Sequence, residues 1–549
     1  MTEAASTPPP AGTPGRWAPV DMLLAALPVG FALFLWLVGR GPDSTARPPD
    51  APFWARFRDY LLDGPDAGMW AANAYALASG RAADLDGHRL PVFPRLTALL
   101  MGPDGDVALA GHLVAHLSHV GVGAVVYLLG ARWMSRGMAL GAALAAVFYI
   151  PALDASERFG VDPLVALALA LALLAAEVAS VSRWAALPAG LLAGGLAATH
   201  LTTLGVPVAA VALCLFRTPG RVGRLFTTVL FACGAAVGLR AMFHGYPVLP
   251  WEVLVGTLSE GVQHGAQAGG PGGSGAPGGS MVSLDVVLSG LPHALERLVA
   301  YASASARPGW FPWYPSLVLP WLGLVGALRG EGSVAARVGR GLGIGVPLAL
   351  ALAPPLAFAA ADAPERYTEN FHALVLLLMF RGLDVGVWGI ERLAAHRWTA
   401  RWVSPAIAGA AGLLASAGLW PGVLVRTTLS KPPTPEDTNA WRLGTLLRAH
   451  FPPGGGLACT NREAIAYAGR VYCPTSTGQR FWHDKDPARA WLAAECPGEG
   501  DIPYVVYVGQ RDERNPARKD LDAWVQANGR AVTELHLPGM EAWVYAVAR

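Results

Sequence analysis

The sequence predicts an all-α polytopic membrane domain of about eleven spanning helices, followed by a small C-terminal α/β domain. Three observations predict it. Only 15% of the 549 residues are charged and 53% are hydrophobic, whereas a soluble domain carries about 25% charged residues. The apolar residues are gathered into runs close to the ~20 that a helix needs to cross a hydrocarbon core. Short basic connections between these runs fall on one side of a single consistent topology.

Residues 1–17 are mostly Pro, Ala and Thr, with little to bury, and read as a disordered cytoplasmic N-terminus. The first apolar run, 18–39, has no small-residue cleavage site after it and reads as a retained helix rather than a signal peptide. Further spans are expected at 107–129, 137–153, 161–181, 184–199, 204–216, 225–243, 313–328, 342–360, 371–388 and 403–423. The stretch 184–216 is too long for one helix and tight for two. Two passes there bring ARWMSR (131–136), RTPGRVGR (217–224), RGEGSVAARVGR (329–340) and ERLAAHRWTAR (391–401) to one side with Arg16. By the positive-inside rule that side is cytoplasmic.

The expected organisation is therefore a transmembrane domain, 18–425, with large outer loops 40–106 and 244–311, and a periplasmic domain, 426–549, in a protein of the inner membrane. Within the second loop, 265–280 is a Gly-rich linker, and 283–301 has the spacing of an amphipathic helix. In the tail, strands are expected at 456–460, 470–474, 504–509, 532–537 and 542–547, with helices at 462–468 and 516–528. Cys459 and Cys473 can pair if the first two strands are parallel neighbours; two free thiols are the alternative. Net charge is +2, which gives no reason to expect nucleic acid as a partner.

Candidate chemistry falls on the predicted outer side. Asp63 and Asp66 precede a helix with Trp70 and Tyr75, and a carboxylate there can serve as general base on a hydroxyl. Asp66 also suits the N-cap of that helix. The turn DASERFG holds Asp154 and Glu157, with Asp162 just beyond; its acids can bind a divalent cation or simply cap two helices. His200, between two spans, can bind a phosphate or satisfy a buried turn. The turn ERYTENFH (365–372) opens the span at 371–388. Arg366 there can hold a phosphate through its fork and Tyr367 can donate a further bond; snorkelling and an ion pair with Glu365 are the alternative.

Taken in order, these pieces resemble the GT-C membrane glycosyltransferases, including protein O-mannosyltransferases and lipid A aminoarabinose transferases. The resemblance lies in the acid ahead of a Tyr-containing helix (66–80), in Asp86, Gly87, Pro91 and Pro94 after it, in GLAATHLTTLG (195–205), and in the Arg366–Tyr367 pair heading a late span. It implies transfer of a sugar from a polyprenyl-phosphate donor to a glycan, lipid or protein acceptor among membrane lipids. Asp66, or Asp63 in another register, would be the catalytic acid. Arg366, Tyr367, His200, Glu157, Asp154 and Tyr75 would line the substrate site. No cofactor is implied with certainty; a divalent cation stays open. Two positions depart from the pattern: Ala67 where a second acid is common, and His200 where Arg is usual. A non-catalytic envelope assembly protein on the same fold is the alternative. A transporter is a third reading, for which His112, His116 and Glu177 are the intramembrane ionisable residues to weigh.

Overall fold

The computed structural model describes residues 17–39, 65–78, 80, 85, 89–101, 107–156, 159–246, 343–351, 364–393, 439–450, 458–459, 505–510, 527, 530–531 and 542–547. In chain order the helices are α1 (Pro19–Gly39), α2 (Pro65–Ala78), α3 (Val92–Met101), α4 (Val107–Trp133), α5 (Arg136–Phe148), α6 (Ile150–Ser156) and α7 (Asp162–Val181). They continue as α8 (Ala186–Ala197), α9 (Val206–Arg217), α10 (Arg221–Met242), α11 (343–351), α12 (Pro364–Leu393) and α13 (Asn439–His450). The spans expected at 313–328 and 403–423, the linker and the amphipathic stretch lie outside the described residues.

Among the described residues four helices, α1, α4, α7 and α10, are long and apolar enough to cross a membrane. Their burial separates centre from rim: 78% of α7 and 67% of α4 lie inside the protein, against 28% of the apolar windows of α1 and α10. The rim helices expose Leu23 and Phe34 on α1 and Leu225 and Phe226 on α10. Such a surface is stable only when lipid covers it. The chain is a mostly helical membrane protein.

Between residues 184 and 216 the chain makes two helices of twelve residues each, α8 and α9, joined by a 3-10 turn at Leu201–Thr203. Helix α8 packs along α10 with backbones in direct contact. A Cβ on Gly194 would overlap the Ala235 carbonyl, and one on Gly238 would overlap that of Leu191. Two glycine pairs at four-residue spacing, Gly190 with Gly194 and Gly234 with Gly238, make this approach possible.

The span expected at 137–153 is instead broken after Phe148. Tyr149 is extended, and α6 starts afresh with Pro151 as its second residue. Proline has no N–H to give the carbonyl four residues back, here Val147. The imidazole of His119 fills that place, its Nε2–H donating to the Val147 oxygen at 3.0 Å. The stretch ERYTENFH, expected as a turn, is the first two turns of α12. Pro364 at its first position is pre-set for helix, and Glu365 beside it suits the positive end of the dipole. Helix α3 lies within the expected outer loop 40–106, where no helix was expected at these residues; Pro94 is its third residue, where no intrahelical N–H bond is lost.

One end of the bundle gathers the two basic connections that are described throughout, 131–136 and 217–224. Asp21 on α1 accepts from Arg136 at 2.7 and 3.1 Å and from the Tyr127 hydroxyl at 3.2 Å. Glu177 on α7 accepts from the Trp133 indole at 2.8 Å and from Arg217 at 3.1 Å. Asp384 on α12 accepts from Ser135 at 2.5 Å. Glu177 is thus a structural ion-pair residue rather than a lone charge within the bundle.

In the tail, β1 (Ala458–Cys459), β2 (Val505–Gln510), β3 (Arg530–Ala531) and β4 (Ala542–Val547) form one sheet in the order β1-β2-β4-β3. β1 and β2 are parallel, and the other pairs are antiparallel. Cys459 lies on β1; Cys473 and the rest of the expected α/β unit lie outside the described residues.

Candidate functional site

The opposite end of the bundle carries the candidate residues. Helix α2 is held by a buried stripe, Ala67, Trp70, Ala71 and Ala74, each at most 2% exposed and spaced as one helix face. Asp66 is the second residue of this helix, after Pro65, and not its cap. In the first turn an acid is favoured by the unsatisfied N–H groups. By position Asp66 shares the helix face of Trp70 and the buried Asn73, four and seven residues on. Its side chain, and Asp63 altogether, lie outside what is described. Tyr75 is partly buried against the core.

An edge-to-face aromatic chain fastens α2 to its neighbours. Trp70 meets Phe93 of α3 at 5.5 Å, Phe93 meets Phe159 at 5.5 Å, and Phe159 meets His112 of α4 at 6.0 Å. Phe159 belongs to the DASERFG stretch, so the helix bearing Asp66 and the segment bearing Asp154, Glu157 and Asp162 share one aromatic core. Asp154 itself sits on α6; its side chain and the whole of Glu157 are outside the described residues.

Two further segments join the same end. The Val92 amide donates to the Ala198 carbonyl at 3.2 Å, seating α3 beside the His200 turn. Arg95 of α3 donates to the His244 carbonyl at 2.6 Å, tying the same helix to the end of α10. Helix α12 packs against α4, α5, α6 and α7. His372 stacks on Tyr149 at 5.0 Å with planes 20° apart, which places the start of α12, and with it Arg366 and Tyr367, beside the α5–α6 break. The side chains of Arg366 and Tyr367 are not described.

His200 caps its own turn. Its Nδ1 accepts from the Thr202 amide at 3.3 Å and lies 3.0 Å from the Thr202 hydroxyl. Its backbone N–H donates to the Thr203 hydroxyl at 3.0 Å. An accepting Nδ1 leaves the ring proton on Nε2, so one edge of the imidazole is committed to the fold. The structure therefore shows the turn-satisfying role; a phosphate role would fall to Nε2.

Some residues at this end were missed from the sequence. Arg89 lies over the Trp70 ring at 5.6 Å and, with Arg95, puts two cations beside α2 and α3. Both were in plain view in DGHRLPVFPRL. Asn370 of α12 is fully buried, and neither atom of its amide has a partner among the described residues. Its signal was an amide at the head of an otherwise apolar run, NFHALVLLLMF. Thr97 and Thr199 are likewise fully buried with hydroxyls unpartnered among the described residues. No three His, Cys, Asp or Glu side chains gather as a metal would need among the described residues.

No protein-family model and no curated protein sequence matches this chain. Solved structures do. The fold is that of ArnT from Cupriavidus metallidurans, in a crystal structure bound to undecaprenyl phosphate: TM-score 0.56 at 13% identity, over 96% of this chain and 98% of that one. The apo state of the same protein matches at TM-score 0.52 and 14% identity, with the same coverage. The Archaeoglobus fulgidus oligosaccharyltransferase, crystallised with zinc and sulfate, matches at TM-score 0.51 and 13% identity, over 88% of this chain and 68% of that one. Both proteins are GT-C glycosyltransferases. The chain thus has the GT-C fold that the motifs pointed to, at an identity where fold alone is carried across.

Proposed function

We propose that the protein is a membrane glycosyltransferase that moves a sugar from a polyprenyl-phosphate donor to an acceptor on the outer face of the inner membrane. The observation that carries the reading is a fold held over nearly the whole of two chains with a protein crystallised with undecaprenyl phosphate. The gathering of α2, α6, the His200 turn and α12 at one end of the bundle supports it. In this reading the basic end faces the cytoplasm, and the tail sheet belongs to a periplasmic α/β domain spanning 426–549.

The chemistry asks little of the protein beyond position and charge. Asp66 takes the proton of an acceptor hydroxyl as its oxygen bonds to the sugar's anomeric carbon. The bond from that carbon to the phosphate oxygen breaks, and the polyprenyl phosphate leaves with the electron pair. Arg366 and Tyr367 hold the phosphate as its charge grows, with Arg89 a further cation at the same end. Tyr75 and His200 Nε2 line the acceptor and donor sides. Asp63 is the alternative acid. Asp154 and Glu157 would hold a divalent cation, which would neutralise phosphate charge.

The test is a mass-spectrometric profile of polyprenyl-phosphate sugars and envelope glycans. A deletion strain carries either the native protein or Asp66→Asn at matched membrane levels. Loss of a positioned general base costs about 10²–10⁴-fold, so the variant accumulates one lipid-linked sugar and loses one glycan modification. Identical profiles in native, variant and deletion strains would remove the transferase reading and favour an envelope assembly protein on this fold.

A further inference from the structure

We infer that Asn370 binds a hydroxyl of the sugar carried by the donor lipid, and so helps to select that sugar; this rests on the glycosyl-transfer reading above. Three observations converge on it. The residue is fully buried in α12, and both its Oδ1 and its Nδ2 lack partners among the described residues. A buried amide left in that state is destabilising. Such a group calls for a polar occupant, whether water, an ion or a ligand.

Its position names the visitor. Asn370 lies four residues after Arg366 and three after Tyr367, hence on the same helix face, one turn further along α12. Four residues of helix rise about 6 Å, the distance from a phosphate to the further hydroxyls of the sugar bonded to it. In the glycosyl-transfer reading, a donor phosphate at the head of α12 has its sugar within about one turn of Asn370.

Its chemistry separates sugar from phosphate. A phosphate only accepts, and the Arg366 fork already serves it. A hydroxyl both donates and accepts, which matches a carboxamide that offers one acceptor oxygen and two donor hydrogens. The setting magnifies the match. Phe371, Ala373 and Leu374 around it are buried, so a hydrogen bond made there is stronger than in water. The stacking of His372 on Tyr149, two residues on, fixes the rotation of the helix and pre-orients the amide.

The experiment uses the full chain in lipid nanodiscs and reads binding by native mass spectrometry. The probes are undecaprenyl phosphate alone and undecaprenyl phosphate carrying glucose, mannose or an aminopentose. The native protein should hold one sugar-bearing lipid more tightly than the bare carrier. Asn370→Leu, close in volume, and Asn370→Ala should each weaken that lipid about tenfold and leave the bare carrier unchanged. Unchanged bare-carrier binding also reports an intact fold. Three results overturn the inference: both variants keep the preference, both weaken the two kinds of lipid equally, or the native protein binds the carrier without preferring any sugar. If the native protein binds neither kind of lipid, the glycosyl-transfer reading itself falls.

Discussion

At the basic end of the bundle, each acid whose side chain is described meets a donor from another segment; the opposite end buries an amide and two hydroxyls that no described residue satisfies. Asp21 joins α1 to α4 and α5, Glu177 joins α7 to α4 and α9, and Asp384 joins α12 to the α4–α5 connection. Arg381, 8% exposed, lies within electrostatic reach of Arg217, Glu177 and Asp384, so two cations face two acids there. Across the bundle, Asn370, Thr97 and Thr199 are fully buried without described partners. Thr218 at the basic end also buries a hydroxyl without a described partner, so the contrast lies in the acids, which at the basic end are spent on holding the fold. A polar residue deep in a membrane protein needs a partner, and the two ends find theirs in different places.

Removing a charge from the basic end should give the largest loss of stability. Glu177→Ala leaves Arg217 beside Arg381 without its acid, and breaking one side of a buried pair costs about 3–5 kcal/mol. Thermal unfolding in detergent should show a clear drop in midpoint, with transfer per folded molecule unchanged. The double replacement Glu177→Leu with Arg217→Met should recover part of it, because the Arg217 pair is removed whole while the Trp133 indole still lacks its acceptor. An unchanged midpoint for Glu177→Ala would mean that the pair is decorative. At the other end, Arg366→Ala should do the reverse. It should cost roughly 10- to 100-fold in transfer efficiency, the worth of one charged hydrogen bond of about 1.5–3 kcal/mol, with the midpoint unmoved. A midpoint that falls in step with activity would move Arg366 into the class of the basic end.

Part of the basic end was legible because charge counting is a global signal: of the four Arg-rich connections it put on one side, 131–136 and 217–224 meet there. The helices that run long and apolar were legible for the same reason. One proline went unweighed: Pro151 inside a predicted span begins a new helix after the break at Tyr149. Pairings were not legible at all. Nothing in the spacing says that His119 serves the carbonyl Pro151 leaves open, or that Phe159 joins Trp70 to His112. Asp66 and Arg366 could be named as candidates because each stands in a stretch that resembles a family motif. Asn370 could not, since one amide in an apolar run gains meaning only when its burial and missing partners are seen.

Thr97 and Thr199 offer the finest test of the difference between the ends. Each hydroxyl is fully buried without a described partner, so Thr97→Val and Thr199→Val remove a desolvated group at nearly constant volume. If the hydroxyls stand unused in the lipid-free protein, each change should stabilise it by about 1 kcal/mol, read as a small rise in unfolding midpoint. Adding undecaprenyl phosphate then sharpens the result. A hydroxyl that bonds the bound lipid raises the midpoint of the native protein more than that of its Val variant, so the gap closes or reverses. A hydroxyl with no such role keeps the gap constant at every lipid concentration. A Val variant that starts out less stable than the native protein would show that its hydroxyl is already satisfied within the fold, which would place that threonine with Glu177 rather than with Asn370.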